Sequence, residues 1–150
     1  MLGELNSEQI ETLLRSETIG RIGCYANNKI YVVPVSYAYD GAYVYAHSRE
    51  GLKILMMRKN PIICFEVDHM ENMANWQSVI AMGEFEELKD QDARDHGMKI
   101  LVDRLKPLMS SETSQPSHGF SGSHQQDVQG HKAVVFRLKL SEKTGRFEKR

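Results

Sequence analysis

The sequence predicts a mainly β chain: about six antiparallel strands curled into a barrel, with flanking helices. Three observations carry this. Residues 30–39 place Tyr31, Val33, Val35, Tyr37 and Tyr39 on one side of an extended segment, the two-residue alternation of a strand. Asp40-Gly41 follows at once, a hairpin signal because both residues tolerate the positive φ of a type I′ turn. The helical stretches are too few and too short to cover both faces of a parallel sheet.

The elements follow in order. A short helix spans 7–15, capped by Asn6 or Ser7, with Ile10, Leu13 and Leu14 as its apolar stripe. Gly20 and Gly23 bracket an extended segment over 19–25, and Asn27-Asn28 reads as a turn. The strand 30–39 and its return at 42–47 form the first hairpin. A helix over 49–59 ends at Asn60-Pro61, because proline disfavours helical geometry in the residue before it. Residues 62–67 are a near-continuous apolar strand, and 68–75 a polar connection. A long strand runs over 76–88, bent or bulged at Gly83. A helix at 90–105 turns Ala93, Ile100, Leu101 and Leu105 to the core. A polar, Ser- and Gly-rich loop fills 110–130, and the last strand is 133–140.

A chain of 150 residues suits one domain, 1–150, with a core able to stand alone. The formal net charge is −1, which gives no electrostatic basis for general nucleic-acid binding. The basic end, 143–150, is interrupted by Glu148 and reads as a solvated tail. Cys24 and Cys64 sit in apolar runs without a metal-ligand pattern, as free thiols of a reducing compartment do. No segment reaches the length of a membrane span. Residues 1–9 lack the apolar core of a signal peptide, so a cytoplasmic location is expected.

The first candidate site is His47-Ser48-Arg49-Glu50-Gly51-Leu52-Lys53, where a strand gives way to a helix. Ser48 can cap the helix, whose free N–H groups and dipole suit an anion. Gly51 leaves the backbone open, and Lys53 adds a positive charge. Alone, these residues describe an ordinary capped helix start better than a phosphate site. Pro34 is the second oddity. It removes a ladder hydrogen bond, so it marks a strand edge or a gap where a flat ligand could lie. Trp76, Gln77 and Ser78 open the long strand with one ring and two hydrogen-bonding side chains. His118, His124 and His131 are too widely spaced for a compact metal motif, and no metal site is expected. No phosphate-binding glycine loop or hydrolase motif occurs.

Together the segments resemble a known family. Leu14-Arg15, Gly20-Arg21-Ile22-Gly23, Val33-Pro34-Val35-Ser36-Tyr37, Tyr45-Ala46-His47-Ser48, Gly51, Lys53, Asn60-Pro61 and Cys64-Phe65-Glu66-Val67-Asp68 recur in order. Trp76-Gln77-Ser78-Val79, Gly83 and Thr144-Gly145-Arg146-Phe147 continue the match. The pattern is similar to that of the pyridoxamine 5′-phosphate oxidase-related flavoproteins, nearest the nitroimidazole-resistance branch. It covers nearly all of the chain except the 110–130 loop.

The resemblance implies a split β-barrel homodimer with flavin mononucleotide (FMN) in the groove between subunits. Val33, Pro34, Val35 and Ser36 would run along the flavin rings. His47, Ser48 and Lys53 would hold the phosphate and ribityl end, and Trp76, Gln77 and Ser78 would reach in from across the groove. The implied activity is an FMN-dependent oxidoreductase reducing a small acceptor of nitroaromatic type, with NAD(P)H as a candidate donor and no assigned catalytic residue. The alternative is a non-catalytic flavin, haem or deazaflavin binding protein, with His118, His124 or His131 as a haem ligand. True pyridoxamine phosphate oxidases carry an arginine-containing strand, a basic pair and a Trp-Arg-Leu ending. This chain has Tyr31 to Ser36, Leu52-Lys53 and Gly145-Arg146-Phe147 there, which argues against pyridoxamine phosphate as substrate.

Overall fold

The computed structural model describes residues 1–108 and 133–150. The elements are β1 (Leu2–Glu4), α1 (Ser7–Ser16), β2 (Ile19–Ala26), β3 (Lys29–Ser36), β4 (Ala38–Tyr39), β5 (Tyr43–Arg49), α2 (Leu52–Lys59), β6 (Ile62–Asn72), β7 (Asn75–Glu87), α3 (Gln91–Leu105) and β8 (Ala133–Glu148). Among the described residues one antiparallel sheet of eight strands, not six, runs in the order β3-β2-β6-β7-β8-β5-β4, with β1 beside the end of β8. The two additional strands, β1 and β4, are too short to leave a periodic signal in the sequence.

Sequence alternation explains the sheet's core, and a break in one strand explains its closure. Tyr31, Val33 and Val35 turn inward as expected, while Ile30, Val32, Pro34 and Ser36 face out. The expected single strand over 30–39 breaks at Tyr37. Its hydroxyl donates to Leu14 O at 2.7 Å, its N–H to Thr18 O at 2.9 Å, and its ring meets Phe65 edge-on at 5.1 Å. On either side of that anchor, β3 pairs with β2 and β4 with β5. The two ends of the sheet order therefore belong to one chain segment, and the sheet closes on itself as a split barrel.

Turn chemistry differs from expectation in one place. Asn27 and Asn28 have φ of 53° and 62°, the two positive values a type I′ hairpin needs. The Asp40-Gly41 connection works otherwise. Gly41 alone has positive φ, and the Asp40 carboxylate accepts from the N–H groups of Ala42 and Tyr43. The 68–75 connection is in fact a continuation of the β6–β7 hairpin, with a bulge between Met70 and Asn72. The basic end is the second half of β8, paired with β7 through Glu148. The register shift at Gly83 is present, and a Cβ there would lie 2.8 Å from Lys139 O.

The barrel interior packs Ile22, Val44, Phe65, Val67, Phe136 and Leu138 with Leu13 and Leu14 of α1. Asn6 and Gln9 form a capping box on α1, and Asp90 caps α3. α3 covers the outer face of β5 and β8, where Tyr45 and Val135 meet Leu88, Met98, Leu101 and Leu105. Among the described residues, no helix is long and apolar enough to cross a membrane.

Candidate functional site

The expected site residues fall at three places in the fold. Val33 and Val35 face the interior of β3, and Pro34 and Ser36 are exposed on its outer side. Among the described residues β3 has a neighbour strand on one side only, so Pro34 sits on an edge strand, where its missing N–H costs no ladder bond on the open side. His47 and Ser48 end β5, and Lys53 lies in the first turn of α2. Trp76, Gln77 and Ser78 begin β7, all half-buried. Two strands, β2 and β6, separate β3 from β7, roughly 14 Å at the usual strand spacing.

Ser48 does not cap α2. β5 continues to Arg49, and Gly51 takes the cap position in extended geometry without a side-chain cap. Strand alternation sends Ser48 inward beside Ala46, where its hydroxyl donates to Arg49 O at 2.8 Å. His47 points to the opposite face, the one α3 covers at Tyr45. The two side chains cannot grip one group from the same side.

What remains at the start of α2 is an anion-compatible corner. The first-turn N–H groups have no side-chain cap, and open space surrounds Gly51: a Cβ would find its nearest heavy atom, Arg49 O, at 4.0 Å. Lys53 is half-buried, and desolvation lowers its pKa from the ordinary 10.5, with the Cys24 side chain nearby. Among the described residues no carboxylate lies within ion-pair distance of its ammonium. A partly desolvated cation without a counter-charge is unusual, because burying charge is costly unless it is paired.

A polar cluster on the outer sheet face was not expected from the sequence as part of the site. Arg21 of β2 stands opposite both Pro34 and Glu66. Its guanidinium reaches Glu66 and Asp68 at 3.2 Å each, and Ser78 Oγ donates to Glu66 at 3.5 Å. Burial first, then the adjacent Asp68, raises the Glu66 pKa above its ordinary 4.5, against the pull of Arg21. The sequence signal was the alternation Cys64, Glu66, Asp68 along an otherwise apolar strand. Partnership with Arg21 required the β2–β6 register.

The cluster lies within a bare apolar surface. Ile30 is 79% exposed, Val32 62% and Ile62 60%, with Tyr25, Ile80 and Met82 also exposed. Gly23 lies between Val32 and Cys64 in one cross-strand row, and a Cβ there would meet nothing closer than 3.7 Å. Neither backbone conformation nor internal packing requires this glycine, whereas close approach of another molecule would. At the far end of β7, Trp76 and Gln77 line a cleft of about 280 Å³ with His69, Glu71 and Phe147. Gln77 stands between His69 and Phe147 in register.

Cys24 is buried and Cys64 half-buried, both as free thiols. Among the described residues, no three His, Cys, Asp or Glu side chains group as metal ligands. The 110–130 loop with His118 and His124, and His131 beyond it, lies outside the described residues.

Comparison with known proteins gives four findings. The sequence profile described as pyridoxamine 5′-phosphate oxidase matches residues 6–147. An FAD-binding protein of Mesorhizobium loti superimposes with a TM-score of 0.76 at 27% identity, covering 98% of each chain. A proposed 5-nitroimidazole antibiotic resistance protein of Bacteroides thetaiotaomicron gives 0.71 at 20% identity, over 98% of this chain and 87% of that one. An uncharacterized protein of Rhizobium meliloti is 25% identical over 146 residues, covering 89% of this chain and 97% of its own length.

Proposed function

This chain belongs to the pyridoxamine 5′-phosphate oxidase family, and on that premise we propose that it is a homodimeric FMN-dependent oxidoreductase acting on a small acceptor of nitroaromatic type. The observation that carries the cofactor reading is Lys53, a half-buried ammonium without a carboxylate partner among the described residues, beside the uncapped start of α2. A flavin phosphate supplies the missing counter-charge and accepts from the free first-turn N–H groups. The residues present fit the group. Gly51 keeps the backbone accessible, and Pro34 and Ser36 offer an exposed strand edge for a flat ring. Ser48 contributes through the backbone turn it stabilises, because its side chain faces the interior.

The bound flavin would supply the two-electron chemistry. The protein's part is to hold and orient it. Lys53 and the α2 amides fix one end, the edge of β3 supports the rings, and Trp76, Gln77 and Ser78 reach in from a partner chain. Dimerisation rests on the bare face. The exposed Ile30, Val32, Tyr25, Ile62, Ile80 and Met82 form an apolar patch of the kind that marks a protein–protein contact.

A second reading, that the ligand is FAD, is favoured by what the Mesorhizobium loti protein is described as binding. One experiment separates the readings. Freshly purified protein should be yellow, release FMN on denaturation, and lose its flavin absorption when NAD(P)H is added without air. Release of FAD would select the second reading, and a Soret band would overturn both. Flavin colour that no donor discharges would leave a binding protein instead of a reductase.

A further inference from the structure

Two sets of polar ties hold α2. At its end, Lys59 donates to Asn27 at 3.1 Å and the Asn60 amide donates to Tyr25 O at 2.9 Å, fixing it to the β2–β3 turn. Arg58, in the last turn, makes the other tie. Its Nε and Nη2 donate to the two oxygens of Glu87 at 2.8 and 3.1 Å, a forked pair with the end of β7. Its remaining nitrogen, Nη1, donates to Glu50. Glu50 directly precedes Gly51, so one guanidinium joins the chain just before α2 to the frame of the sheet.

We propose that Arg58 is a positioning residue of the anion corner, holding the Glu50-Gly51 turn so that the first amides of α2 and Lys53 converge on a flavin phosphate. The role rests on the FMN reading above. The geometry gives the reason. No side chain caps α2, so nothing at Gly51 itself fixes the direction of the first N–H groups. Glu50 is exposed, Gly51 half-buried, and a Cβ at Gly51 would be unobstructed. The Arg58 fork replaces the missing cap with a tie one residue upstream. Forked guanidinium–carboxylate pairs hold direction as well as distance. Both carboxylates raise the Arg58 pKa, so its guanidinium stays charged. Arg58 itself touches no ligand in this scheme.

The test compares FMN with riboflavin, which lacks the phosphate. Apo full-length protein is titrated with each flavin, following fluorescence quenching, for wild type, Arg58→Met, Arg58→Lys and Glu50→Gln. Arg58→Met should raise the Kd for FMN at least tenfold and that for riboflavin less than twofold. Arg58→Lys, which keeps the charge but loses the fork, should fall between wild type and Arg58→Met. Glu50→Gln removes a largely exposed carboxylate, so the fold should survive, and it should reproduce the selective loss even if Arg58→Met does not fold. Equal losses for both flavins, or a lower Tm with unchanged FMN affinity, would overturn the role and assign Arg58 to stability alone. Wild-type protein that binds neither flavin would overturn the cofactor reading and this role with it, a result visible before any variant is made.

Discussion

The outer faces of β5 and β3 belong to one sheet and meet opposite surroundings. On β5, Tyr45 lies under α3 and is 1% exposed, with Leu101 of α3 at 0%. On β3, Ile30 and Val32 stand 79% and 62% exposed. Both faces are apolar, and what differs is the cover. A helix of 15 residues follows β7 and folds back over one half of the barrel. Nothing among the described residues covers the other half, and there the chain places an unobstructed glycine and an ion cluster. The comparison teaches that a face covered within the chain and a face left bare among the described residues can share the same composition.

Four perturbations break or sharpen that contrast. The largest effect belongs to the covered half. Leu101→Ala should cost about 3 kcal/mol of folding stability, as truncating a fully buried leucine does, read from chemical denaturation. The bare half should respond through association instead. Ile30→Glu with Val32→Glu should raise the dimer Kd at least a hundredfold, about 2.7 kcal/mol, with little change in the monomer's circular dichroism. Sedimentation that finds the same state for wild type and variant would show that this face does not dimerise. Lys53→Ala should weaken FMN binding by about 1–3 kcal/mol, typical of losing a charged hydrogen bond, and leave riboflavin binding alone.

The smallest effect is the pH response of Glu66. Its folded pKa is raised, so the folded chain holds more protons than the unfolded one between 4.5 and the folded value. Stability contributed by this group therefore falls as pH climbs through that window. Glu66→Gln should flatten the slope, by less than about 1 kcal/mol. Denaturation midpoints measured from pH 4 to 7 would show it, and an unchanged slope would place the titration elsewhere.

The sequence made visible what local rules decide. The inward side of β3, the apolar stripe of α1, the Asp90 start of α3 and the bend at Gly83 each follow from side-chain period, capping chemistry or a missing Cβ. It hid what distant contacts decide. The break at Tyr37 depends on Leu14 and Thr18, and polar residues 68–72 and 141–148 become strands because each finds a paired partner. The site divides the same way. Gly51 and Lys53 were legible as an open backbone and a cation. That Ser48 turns inward, and that Arg58 takes over the tethering, depends on where β5 ends and on Glu87 at the end of another strand.

β8 follows every other strand in the chain, yet it lies in the middle of the sheet, between β7 and β5, with β1 along its end. During synthesis, the ribosome must therefore deliver the central strand after both of its neighbours. Until it arrives, β5 and β7 each present a long unpaired edge, the kind of surface that recruits stray strands. Chains stalled or truncated before residue 133 should collect in aggregates, and a chaperone that shields sheet edges should raise the yield of this protein more than one that only speeds helix formation.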